Sequence, residues 1–346
     1  MNLLAGGVSS AFLFLLLLIL ESIISLSYSL HMAIQSLSLA QKEKIKRLEP
    51  ALKRAALNGN INSAKSIIND LKDLLISTGR GTKLMELKCY LFEAYMESGD
   101  IDFAVAGFIG IRTKTNKNTR TYLEATALLA ICYLRKSDID QAEPLIKEVI
   151  KNDKVIKSEG RRILFRKYII ERFDEEGTLF AIKGQGYDDL DPKEIQDEAG
   201  AIIQRFNEEE IFIKIGENVP ENAIGILFRI DDFSKKQLPS AERKLLPSPK
   251  DALNKEKVGK TLFSSIKRTI YKSICDPESE LYKAWYNNGF KIVLNKYYIG
   301  SAVSSAFVNL GISIRALAIY ITAMIIKFGL EVYCEKYKPE GIMDMR

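Results

Sequence analysis

Apolar positions along the chain follow several rhythms. Residues 3–20 (LLAGGVSSAFLFLLLLIL) carry no charge, and every position from Ala11 to Leu20 is apolar. From about residue 42 to 155, apolar residues return every three or four positions, the period of a helix with one buried face. Residues 176–235 instead cluster β-friendly side chains at 178–183, 211–215 and 224–230, with the turn-rich GENVPENA between the last two. That texture predicts a strand followed by a long-looped hairpin. Inside the same region, Asp191 with Pro192 and Glu194 predicts a capped helix running to about Phe206. Residues 299–326 are again almost purely apolar, with Arg315 the one charge among 28 residues. The expected fold is mainly α: an αα-hairpin solenoid or bundle, a small α+β module and apolar terminal helices. The expected parts are an anchor at 1–40, helical repeats at 42–175 and an acidic α+β module at 176–235. A basic Pro-containing linker at 236–260 and a helical region at 261–346 complete the chain.

Within the helical stretch a short signal recurs, as NGNINSA at 58–64, SGDIDFA at 98–104 and KSDIDQA at 136–142. Aligned on the final alanine, the copies lie 40 and 38 residues apart. A tight turn needs a residue tolerant of the left-handed conformation where the first helix ends, which Gly59, Gly99 and Ser137 supply. The neighbouring Asn or Asp can cap the second helix, and the Ala lets the two helices approach closely. The spacing of Leu91, Tyr95, Gly99, Ala104 and Phe108 resembles the tetratricopeptide repeat. Leu129, Tyr133, Ser137, Ala142 and Ile146 repeat it, and the first unit matches at Gly59, Ala64 and Ile68. The period is longer than that family's usual value of about 34, and its Trp is absent. The resemblance covers some 110 residues. It implies stacked helix pairs that bind a protein segment on a concave face; a generic helical bundle is the alternative.

Charge sharpens the membrane question. The first 40 residues hold a single formal charge, Glu21, and basic side chains begin with Lys42, Lys44, Lys46 and Arg47. A signal anchor with the bulk of the chain in the cytoplasm follows from the positive-inside rule. A cleaved signal peptide and a buried core helix are the alternatives. Residues 299–326 are long enough to span, are bracketed by Lys296 and Lys327, and start beside Tyr297 and Tyr298. Gly300, Ser304, Ala302 and Ala306 permit close helix packing. Arg315 at bilayer depth would cost about 2.5–3.5 kcal/mol, so it wants a partner, and Glu21 is the candidate. A buried core helix with a salt-bridged Arg315 is the competing expectation. Residues 170–232 carry 17 acidic and 6 basic side chains, and 233–272 carry 11 basic and 3 acidic. Either these blocks face different partners, such as an anionic membrane for the basic one, or they neutralise each other.

The chemistry is sparse. His31 is the sole histidine, so no Ser-His-Asp or Cys-His arrangement can be built without it. Cys89, Cys132, Cys275 and Cys334 lie far apart with no CxxC, which suggests neither a disulfide nor a zinc site and fits a reducing cytosol. Asp188, Asp189 and Asp191, and Glu208 to Glu210, are close enough in sequence for a metal, but such carboxylates usually cap helices. Residues 254–261 (NKEKVGKT) fall one residue short of a phosphate loop, with Asn254 in place of the first Gly and no strand before it. The basic stretches lack the aromatic spacing of a nucleic-acid module. No catalytic, cofactor or metal residue is assigned. The expected function is a membrane-anchored, non-enzymatic adaptor binding a protein partner on its repeats, with homo-oligomers compatible. A pore-forming or bilayer-perturbing effector, motivated by Glu21 and Arg315, is the second expectation. An enzyme with a concealed carboxylate site is the third.

Overall fold

The computed structural model describes residues 34–236, 254–277, 279–288, 297–338 and 341–346. Residues 3–20, Glu21, His31 and most of the basic linker lie outside the described residues. The chain divides into two units, one of residues up to Arg162 with 341–346, the other Ile163–Glu340. The boundary falls near the start of a helix.

The first unit contains three helix pairs: α1 (Leu39–Leu57) with α2 (Ile61–Ser77), α3 (Gly81–Ser98) with α4 (Ile101–Lys114), and α5 (Arg120–Arg135) with α6 (Ile139–Lys151). Each helix packs on the next in sequence, and the first helices also stack, α1 on α3 and α3 on α5. The three recurrent turns share one geometry. Gly59, Gly99 and Ser137 have φ of 67°, 92° and 63°. The N–H of Asn60, Asp100 and Asp138 reaches back to the carbonyls of Ala55, Tyr95 and Tyr133 at 2.8, 3.0 and 2.9 Å. This closes the helix end with a left-handed residue and a six-residue hydrogen-bonded loop. Asn60 and Asp138 then accept from the backbone of Ser63 and Gln141, capping the second helix. Ala64, Ala104 and Ala142 are wholly buried beneath the turns. The same closure recurs between the first two pairs, where Gly79 has φ 70° and Arg80 N–H reaches Leu75. That fourth turn lacks the recurrent motif.

The second unit is helical where strands were expected. Helices α7 (Glu159–Ile182), α8 (Pro192–Arg205), α9 (Glu208–Glu217) and α10 (Glu221–Lys235) cover 176–235, and no strand occurs among the described residues. The α+β module is therefore corrected to helices. Residues 211–215 alternate in sequence, but Ile211, Phe212 and Ile215 are buried at helical spacing. Asn207 and Glu210 also form a reciprocal cap that starts a helix. A short apolar run does not distinguish a buried helix from a strand by period alone. The expected helix at 191 is present as α8, with Asp191 accepting from Glu194 N–H at 2.8 Å.

Beyond the linker come α11 (Lys255–Cys275), α12 (Glu280–Asn288), α13 (Tyr298–Leu310), α14 (Arg315–Phe328) and α15 (Leu330–Lys336). The core is built by pairing α9 with α11 and α8 with α14. At the α9–α11 crossing both backbones come together. A Cβ on Gly216 would lie 1.8 Å from the Lys255 carbonyl oxygen, and one on Gly259 would lie 1.9 Å from that of Phe212. The phosphate-loop-like residues thus start a helix, with Asn254 as its cap and Gly259 at a helix crossing.

The apolar stretch 299–326 is not one helix. It breaks at Gly311, whose φ is 68°. The break is held by the loop after α7: Gly184 N–H donates to Gly311 O at 2.6 Å, and Ser313 N–H to Gln185 O at 2.9 Å. Asp188 accepts from Arg315 N–H at 2.9 Å, capping α14. Among the described residues no single helix is long and apolar enough to cross a membrane; α14 and α15 together reach that composition but bend by 98°. Nine residues of α14 are buried in this unit's core. Arg315 pairs with Glu194 at 2.8 Å and with Glu198, both on α8. Its proposed partner Glu21 lies outside the described residues.

The cysteine expectation is also corrected. Cys275 and Cys334 form a disulfide between α11 and α15, with Cα atoms 5.4 Å apart, while Cys89 and Cys132 are free and buried. Two cysteines 59 residues apart carry no spacing signal; only the packing of α15 on α11 brings them together.

Candidate recognition surface

The first helices of the three pairs present one face that is unusually rich in shielded charge. On α3, Glu86, Cys89 and Glu93 follow each other at helical spacing, and Glu124 stands opposite on α5. Glu93 and Glu124 are buried within otherwise apolar helix stretches. Glu49 of α1 meets Lys83 at 3.1 Å, and Lys83 meets Glu86 at 2.6 Å. Arg120 Nε donates to Glu124 at 2.9 Å.

Residues 341–346 close this arrangement. A 3-10 turn (Ile342–Met345) packs on α5, with Ile342 and Met343 buried. Arg346 then reaches Glu86 at 2.5 Å and both oxygens of Glu124, its Nε donating at 3.1 Å. It also donates to the Thr121 hydroxyl at 3.4 Å. Burial pushes the Glu124 carboxyl above its usual range, and the Arg346 and Arg120 guanidinium groups pull it back. Burial likewise raises the Cys89 thiol, reinforced by Glu124. Burial disfavours the charged form of Arg346, yet Glu124 and Glu86 raise its pKa overall. The arrangement can bind a planar cation bidentately. Cys89 is a buried, protonated thiol and so a poor nucleophile. Among the described residues no group of three or more His, Cys, Asp or Glu side chains could hold a metal.

The repeat residues expected from sequence sit elsewhere, at the turns. Tyr95 is buried and stacks on Phe103 at 5.3 Å between ring centres, with Lys65 Nζ 5.2 Å from its centroid. Gly99 makes the adjoining turn, and an open groove of about 750 Å³ runs past Gly59, Lys65, Tyr95 and Asp100. Tyr133 and Ala142 hold the equivalent places one pair later, Tyr133 half-buried. The remaining polar links knit the pairs together. Arg112 joins Tyr122 and Glu148 at 2.9 and 2.8 Å, and Arg135 joins Glu97 at 2.8 Å.

Sequence reasoning passed over Glu86, Glu93, Glu124 and Arg346. A signal existed for one of them. Glu124 is the only charge in the run TYLEATALLAICYL, and an isolated carboxylate in an apolar helix must find a partner. No protein-family model matches the chain, and no curated protein or solved structure does either.

Proposed function

We propose that the chain is a helical-repeat adaptor held at a membrane, whose first unit takes up a segment of a protein partner without performing chemistry on it. The pairs at 39–151 are read as tetratricopeptide-like, on the recurrent turn and the buried alanine of each pair. The observation that carries the binding role is the stacked face of α1, α3 and α5 with its shielded carboxylates. Stacked helix pairs generate an extended surface of this kind, and they use it for protein segments. The membrane role rests on the sequence of residues 3–20, whose apolar burial salt does not screen.

A photo-crosslinking residue tests the first half. Placed at Lys53 or Lys83 on the first-helix face, it should yield adducts with another protein in cells. Placed at Asp73 on α2 it should not. Equal adducts from both faces, or none from either, would count against the adaptor. For the second half, the protein should remain with membranes through a high-salt wash and lose that attachment when residues 1–40 are deleted. Full-length protein in the wash would end the anchor.

One observation favours a second reading of the side on which the folded part sits. The positive-inside rule puts it in the cytoplasm, but the Cys275–Cys334 disulfide suits an oxidising compartment. Alkylation after acid quenching and non-reducing denaturation, which opens the buried Cys89 and Cys132, distinguishes them: two alkylated thiols per chain would favour the oxidising side, and four would favour the cytoplasm.

A further inference from the structure

We propose that residues 341–346 are an internal ligand of the first-helix face, and that a partner protein binds there through an arginine-bearing apolar segment that displaces them. The proposal deepens the adaptor reading and rests on it for its biological meaning, while the binding itself can be measured independently.

The contact has the make-up of short-segment recognition. Two buried apolar side chains, Ile342 and Met343, precede an arginine by four and three positions. The arginine fork meets both oxygens of Glu124 on α5 and one of Glu86 on α3. A planar guanidinium can span a carboxylate in this way, and a lysine ammonium cannot. The receiving side is built to need such a cation. The Glu124 side chain is fully buried, and among the described residues its other cationic contact is Arg120, one turn away on its own helix. Glu86 is shared with Lys83, which is already engaged by Glu49. Among the described residues, removing Arg346 leaves Glu124 with Arg120 and Glu86 with Lys83, both supplied by the face itself. A segment of the same chemistry from another chain would restore the lost contacts. Six residues supply the whole internal ligand, so a competitor needs no folded domain behind it. An occupied site lowers the apparent affinity of any competitor by the fraction of time the site is empty. Residues 341–346 therefore set a threshold that a partner must exceed.

The test uses a fluorescent peptide, Gly-Ile-Met-Asp-Met-Arg, titrated into the intact protein and into a chain ending at Glu340. The shortened chain should bind at least about tenfold more tightly than the intact one. Replacing the peptide's Arg by Lys should weaken that binding about tenfold, and E124Q in the shortened chain should remove the Arg–Lys difference. If shortening unfolds the first unit, R346A in the full chain serves instead, read by the same titration with helix content as the control. A folded shortened or R346A chain that takes up no peptide overturns the proposal. So does equal binding by the Arg and Lys peptides. An intact protein that is dimeric and becomes monomeric on shortening would also overturn the internal arrangement, since the occupant would then be a second copy. Peptide binding without crosslinks from Lys53 or Lys83 in cells would sink the adaptor and leave the site standing. Crosslinks without peptide binding would sink this proposal alone.

Discussion

The two units bury apolar surface in opposite ways. In the first, every helix packs on its sequence neighbour, and the longer-range helix packing is mostly that of first helices of adjacent pairs. In the second, the ties are remote. Lys327 Nζ donates to Phe206 O across 121 residues, Gly300 N–H to Gln196 across 104, and Arg315 N–H to Asp188 across 127. The disulfide closes a further 59. Local contacts let helix pairs form early and add up nearly independently, whereas remote contacts must form together. The first unit should therefore respond to damage gradually and the second all at once. Residues 341–346 cross this division, since the end of the sequence packs with the first unit.

The largest expected effect lies in the disulfide. Replacing Cys275 and Cys334 by Ser should cost the second unit about 4 kcal/mol through the entropy of its open loop. Thermal unfolding should lose its second-unit transition first, with the first-unit helices melting as before. A single transition shifted as a whole would show that the units do not melt separately.

Gly216→Ala comes next, at about 3 kcal/mol, because its Cβ would fall 1.8 Å from the Lys255 carbonyl oxygen and the α9–α11 crossing must open. Denaturant titration should show the whole second unit weakened. Loss confined to α9, seen by hydrogen exchange, would contradict its all-at-once character.

Arg346→Met tests the first unit at about 2 kcal/mol, keeping an apolar stem while removing the charge. The cost should depend on pH in a definite direction. Glu124 interacts with Arg120 on its own helix, with Cys89 on α3 and with Arg346, which also reaches Glu86 and Thr121. Burial raises its pKa above 4.5 and Arg346 lowers it, so the variant raises it further. A raised carboxyl favours the fold below its unfolded pKa and loses that contribution as pH rises through the folded value. The gap between wild type and variant should thus be smallest below 4.5 and widen toward neutral pH. A gap that widens on acidification would refute the Glu124 pairing.

The smallest pair of changes acts on the turns. Gly99 has open space around it and φ of 92°, so Gly99→Ala should cost about 1 kcal/mol through backbone conformation alone. Ser137 already occupies that region at 63°, so Ser137→Gly should stabilise the third pair by up to about 1 kcal/mol. Calorimetry reads both. Equal and opposite shifts would confirm that each turn contributes separately.

Much of the first unit was legible in the sequence, for a physical reason. A helix end that needs a left-handed residue, a cap and a small residue for close approach writes all three within seven positions. Repetition at 40 and 38 residues then marks them as structural. The helix at 192–205 was legible likewise, from Asp191, Pro192 and Glu194. The tertiary structure decided most of the rest of the second unit. It made helices of β-rich clusters because Ile211, Phe212 and Ile215 find a neighbour at helical spacing in α11. It split the apolar run at Gly311 because a loop more than a hundred residues away bonds there. It also joined Cys275 to Cys334 and brought Arg346 to Glu124 across 222 residues. Local sequence fixes what a backbone can do within a turn or two; which distant groups share a low-dielectric interior depends on how the helices pack.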